Sequence, residues 1–72
     1  MNDKEKLKIK NIVYELRKVK AVTQEQLALE LNITRQTVIA MEKGNYIPTL
    51  LLAIKISRYF KLPLEKIFIY EN

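Results

Sequence analysis

The chain predicts an all-α fold of five short helices packed as one unit. Three observations carry that expectation. Apolar residues recur at helical rather than alternating spacing through most of the 72 residues. Capping residues stand at the heads of these segments, notably Thr23, Thr34 and Thr49. Breakers close or separate them at Asn32, Gly44, Pro48 and Pro63.

The elements follow in order. Residues 1–6 are polar and charged and are expected to fray. Leu7, Lys8, Ile9 and Lys10 alternate apolar and basic, which suits either a short strand or the start of helix 1. From Asn11, a cap candidate, Ile12, Val13, Leu16 and Val19 fall on one helical face, placing helix 1 at about 11–20. Thr23 with Gln26 three residues on forms a capping-box pattern. Leu27, Ala28 and Leu31 then give helix 2, at about 24–31, its apolar face. Asn32 tolerates the left-handed conformation that stops a helix, and Ile33 plugs the turn. Helix 3 runs from about 35 to 43, with Val38 and Met41 buried and Gly44 beyond its end. Thr49 caps helix 4, about 50–60, whose apolar set is wider than one stripe and includes an out-of-pattern Leu51. Pro63 precedes helix 5, about 64–68. Phe68, Ile69, Tyr70 and Glu71 read as a strand. Pairing them with Lys8, Ile9 and Lys10 would make a small two-stranded antiparallel ribbon from the two termini.

Composition narrows the function. The length gives a single domain, residues 1–72. Cys and His are absent, so disulfides and the usual zinc sites are excluded, and so are most nucleophile and general-base arrangements. Glu25 and Glu30 do not face each other on a helix, and one Gly makes no phosphate loop. The expectation is a protein that is not an enzyme, with no cofactor and no evident small-molecule ligand. The net charge is +5, from 13 Lys and Arg against 8 Asp and Glu. Most of that excess lies in residues 1–20, and it favours a polyanionic partner. No membrane span or signal peptide shows, so the expected location is cytoplasmic.

Helix 3 commits few side chains to the core. Its outward Arg35, Gln36 and Thr37 are the residue types that hydrogen-bond base edges in a DNA major groove, and Ile39 could meet a thymine methyl. A plain surface helix can carry the same residues, and the wider pattern decides between the two. Four residues separate Leu16 and Arg17 from Val22, Thr23 and Gln24, and after two more come Leu27 and Ala28. Arg35, Gln36 and Thr37 are then followed by Glu42, Gly44 and Pro48. From about Leu16 to Phe68 the chain resembles the phage-repressor/Cro (Xre-type) helix-turn-helix regulators, as a short stand-alone member.

The resemblance implies a five-helix lambda-repressor-like domain with its helix-turn-helix unit at residues 23–44. It implies base contacts from Arg35, Gln36, Thr37 and Ile39. Phosphate contacts would come from Arg17, Thr23, Gln24, Lys43, Asn45 and Tyr46, with Gln24 as the clamp at a helix N-terminus. It further implies an ion pair between Arg17 and Glu42 that braces the reading helix. The chain departs from its relatives in having Ala21 where Gly is frequent, Asn45 where a basic residue is frequent, and Pro63 where Ser is frequent. Excess apolar residues Leu51, Leu64, Phe68, Ile69 and Tyr70 suggest a homodimer through residues 50–72. Two reading helices ~34 Å apart would match a near-palindromic double-stranded operator, the expected role being that of a repressor. The rival class is a protein-binding antitoxin or adaptor built on the same fold. Tyr14, Tyr59 and Tyr70 read as packing residues rather than platforms for single strands.

Overall fold

The computed structural model describes residues 9–71. The element order is β1 (Ile9–Asn11), α1 (Val13–Lys20), α2 (Gln24–Leu31), α3 (Arg35–Glu42), α4 (Leu50–Phe60), α5 (Leu64–Ile67) and β2 (Phe68–Tyr70). Residues 1–6, Leu7 and Lys8 lie outside the described part, and so do the expectations placed on them.

Local chemistry sets most helix ends. Thr23 Oγ1 accepts the Gln26 backbone N–H at 3.0 Å, and Gln26 Oε1 accepts the Thr23 N–H at 2.8 Å. This reciprocal box satisfies two donors that would otherwise be orphaned at the start of α2. Thr34 and Thr49 cap α3 and α4 with the hydroxyl alone, which accepts from Thr37 N and Leu52 N. Three helices end on left-handed residues that are not Gly: Ala21, Asn32 and Lys61, at φ 60°, 59° and 57°. Asn takes this conformation readily, whereas Ala and Lys are strained there. Gly44, at φ 81°, turns the chain out of α3. Pro63 leads into α5 without a side-chain cap, as its missing hydroxyl requires.

Residues 9–11 and 68–70 form the expected ribbon. β1 and β2 pair antiparallel, with Ile9 opposite Tyr70, Lys10 opposite Ile69 and Asn11 opposite Phe68. The alternative in which this segment opens helix 1 is thereby excluded. Because Asn11 belongs to β1, α1 starts at Val13 rather than at the expected residue 11. Asn11 still caps from outside, its Oδ1 accepting the Val13 N–H at 3.0 Å. Lys10 and Glu71 form an exposed ion pair at 3.1 Å across the ribbon, of a kind that contributes little.

The core gathers Val13, Leu27, Ala28, Leu31, Val38, Met41, Leu52, Ile56 and Ile67 from all five helices. Ile33, in the turn between α2 and α3, packs against it as expected. Val19 does not: it is 86% exposed. The inward face of α1 is instead Val13 and Arg17, one helical turn apart, with Leu16 beside them. Tyr59 packs on the core edge-on to Phe60, with ring centroids 4.9 Å apart. Tyr14 and Tyr70, expected to pack, are exposed. Tyr14 instead lies beneath the cationic ends of Arg17 and Lys18, at 5.3 and 5.7 Å. No helix among the described residues is long and apolar enough to cross a membrane.

Candidate nucleic-acid interface

α3 is eight residues long, and its two ends differ in kind. At the start, Thr34 Oγ1 accepts the Thr37 N–H at 3.1 Å and lies 2.9 Å from the Thr37 hydroxyl. Arg35 and Gln36 follow the cap and are exposed, while Thr37, Ile39 and Ala40 are half-buried. Val38 and Met41 face the core. The first turn therefore offers a guanidinium and a carboxamide to the outside, beside helix N–H groups that favour an anion. The Thr37 hydroxyl is already engaged with Thr34, which leaves it less free than the sequence suggests.

The far end is fastened from three sides. Arg17, at the C-terminal half of α1, donates through Nε to Glu42 Oε2 at 2.7 Å and through Nη2 to Glu42 Oε1 at 3.2 Å. Its Nη1 donates to the Val22 carbonyl at 3.0 Å. Gln24, the first residue of α2, donates through Nε2 to Glu42 Oε1 at 3.2 Å. One carboxylate thus holds α1, α2 and α3 together. The third tie is the Asn11 amide, whose Nδ2 donates to the Met41 carbonyl at 2.9 Å. Among the described residues, every side-chain hydrogen bond that reaches α3 from another element lands on Met41 or Glu42.

The electrostatics follow from burial. The Arg17 and Glu42 side chains are 9% and 6% exposed. The hydrogen bond to Glu42 raises the Arg17 pKa above its usual range, against desolvation, which pushes the other way. Three of the guanidinium's five N–H groups are used inside the protein. A phosphate contact from Arg17 is therefore a poor fit to its surroundings, and the side chain is set to brace.

A shallow cleft connects this brace to the surface. Arg17, Lys18, Val22, Thr23, Gln24 and Arg35 line it. The sequence reading brought together Thr23, Gln24 and Arg35 but missed Lys18. Its signal was present: Lys18 sits in the last turn of α1, three residues before the short link into α2. Across the loop after α3, Lys43 and Asn45 are exposed, while Tyr46 is half-buried against the core.

The residues expected at a subunit contact divide. Leu51, Ile69 and Tyr70 are 65%, 42% and 70% exposed. Leu64 and Phe68 are half-buried, and Phe68 packs against the protein's own core. Leu50 and Ile54, not singled out by the sequence, are exposed and flank Leu51 on the same helix.

Comparison with known proteins agrees with this geometry. A helix-turn-helix family model matches residues 13–67, from the first residue of α1 to the last of α5. The chain is 48% identical over 64 residues to an uncharacterized HTH-type transcriptional regulator of Methanocaldococcus jannaschii, covering 89% of this chain and 97% of that one. It is equally similar, over the same shares, to the uncharacterized HTH-type transcriptional regulator YgzD of Bacillus subtilis. A third such regulator, from Methanothermobacter thermautotrophicus, is 44% identical over 65 residues, 89% of this chain and 94% of its own. With the bihelical unit, its braced third helix and relatives matched over nearly their whole length in view, the chain belongs to the Xre-type helix-turn-helix family of DNA-binding transcription regulators.

Proposed function

We propose that the protein is a repressor that binds a near-palindromic duplex operator as a homodimer, with α3 in the major groove. The observation that carries this is the asymmetry of α3. Its exposed N-terminal turn bears Arg35 and Gln36, and among the described residues the side-chain hydrogen bonds from other elements all fall on its C-terminal turn. Arg35 and Gln36 read base edges, Thr37 and Ile39 add hydroxyl and apolar contacts, and Thr23 and Gln24 hold phosphate at the start of α2. Lys43, Asn45 and Tyr46 touch the backbone beyond the reading helix, and Arg17 acts through Glu42. Residues 23–44 form the reading unit and residues 50–72 the self-association surface, centred on Leu50, Leu51 and Ile54.

Size supports the pairing. The described protein measures 36 × 24 × 21 Å. Two such protomers can set their reading helices ~34 Å apart, one helical turn of DNA.

The test is selection of duplexes from a random pool, followed by two variants. Arg35→Ala should relax preference at one position of the half-site, at a cost of about 1–3 kcal/mol there. Gln24→Ala should weaken all sequences alike. A pool that yields no consensus overturns the reading. The exposed apolar flank of α4 favours one second reading, a protein-binding antitoxin or adaptor. A chain that stays monomeric by light scattering and selects no duplex would be explained by that role instead.

A further inference from the structure

We infer that Asn11 is a positioning residue for DNA reading, fixing the C-terminal turn of α3 to the terminal ribbon without touching DNA itself. This rests on the DNA-reading role proposed above.

Asn11 is the last residue of β1 and pairs with Phe68 of β2. The next residue, Ile12, donates its N–H to the Ile67 carbonyl at 3.1 Å, so the chain on both sides of this point is tied to the α5–β2 segment. The side chain then works in two directions. Its oxygen holds the Val13 N–H at the head of α1, and its nitrogen holds the Met41 carbonyl near the end of α3. A carboxamide has the donor and the acceptor that this double duty needs. Hydroxyl side chains of similar placement are too short to reach both.

The Met41 carbonyl matters because of what surrounds it. The last carbonyls of a helix lack intrahelical partners. Ile39 O is satisfied by Lys43 N, Ala40 O by Asn45 N, and Met41 O by Gly44 N, all from the chain just after α3. Those three bonds swing with the helix and do not aim it. The Asn11 bond comes from a separate element and does. Arg17 and Gln24 reach α3 through the Glu42 side chain, several bonds from the helix backbone, whereas Asn11 grips the backbone itself. A small tilt at this end displaces Arg35 and Gln36 at the other, six and five residues from Met41 in one short helix.

The test uses Asn11→Ser, which keeps an oxygen to cap Val13 and loses the reach to Met41. Two readouts are taken on the full chain at a temperature where melts show it folded. The first is amide exchange at Gly44 and Asn45. The second is affinity for the selected operator and for an unrelated duplex at matched salt. Exchange should quicken, and operator affinity should fall about three- to tenfold, the worth of one hydrogen bond. Affinity for the unrelated duplex and the salt slope should not move, since no phosphate contact is lost. Unchanged operator affinity in the folded variant overturns the positioning role, as does an equal loss on both duplexes. A wild-type chain that selects no operator overturns the DNA reading itself, and this outcome is distinct from either.

Discussion

Replacing Glu42 with Ala removes the acceptor of three hydrogen bonds at once: two from Arg17, at 2.7 and 3.2 Å, and one from Gln24 at 3.2 Å. Water replaces them poorly, because the Arg17 side chain is only 9% exposed. An uncompensated buried charge of this kind costs about 3–5 kcal/mol. A protein of this length has only about 4–11 kcal/mol in total. Glu42→Ala should therefore lower the melting midpoint by at least ~12 °C, at about 4–8 °C per kcal/mol for a domain this small. The double variant Arg17→Met with Glu42→Met leaves no charge behind and should recover most of the loss. Its DNA affinity should stay low, because Gln24 remains without its partner. The assay is a thermal melt by circular dichroism on wild type, single and double variants. A single variant that melts with the wild type would refute the argument, as would a double variant less stable than the single.

Further outcomes follow from other features. Ala21→Gly should raise stability by about 0.5–1 kcal/mol, since it relieves a left-handed alanine at some cost in unfolded-chain entropy; an unmoved or lower melting midpoint would contradict this. Asn45→Lys should tighten binding to all duplexes alike and steepen the log–log salt slope by about 0.9, as one added phosphate contact requires. Leu51→Glu should leave the melt nearly unchanged at low concentration, because the side chain is 65% exposed, while light scattering reports monomer. The Arg17 pKa is raised on folding, so its contribution is complete below the unfolded value and is lost only as pH climbs through the folded one. That window lies in strong alkali. The gap in melting midpoint between wild type and Arg17→Met should accordingly stay flat from about pH 6 to 9.

What the sequence made legible was local. The ends of α2 were readable to the residue, because Thr23 with Gln26 and the left-handed Asn32 settle them without help from elsewhere. The start of α1 was not. Asn11 has the chemistry of a cap, but its backbone is claimed by Phe68, far along the chain. Val19 misled because a helical face can be drawn through it. Nothing nearby in sequence shows that Arg17, one turn after Val13, takes the inward place. The Arg17–Glu42 pair was reached only through family resemblance. The Gln24–Glu42 and Asn11–Met41 hydrogen bonds were out of reach, since each joins elements whose approach depends on the completed core. Lys18 was nearer to hand: its place in the last turn of α1, just before the short link into α2, already set it beside Thr23 and Gln24.

The ribbon also sets an order of events at the ribosome. Chain synthesis releases Asn11 well before Phe68. Until then β1 has no strand to join, although α2 and α3, close neighbours in sequence, can already dock on each other. The long-range closure is thus the slow and final step, because distant pairings must bring far-separated segments together before any contact forms. A newborn copy would have α3 shaped before β2 emerges, and α3 would be fixed against the ribbon only when β2 zips onto β1.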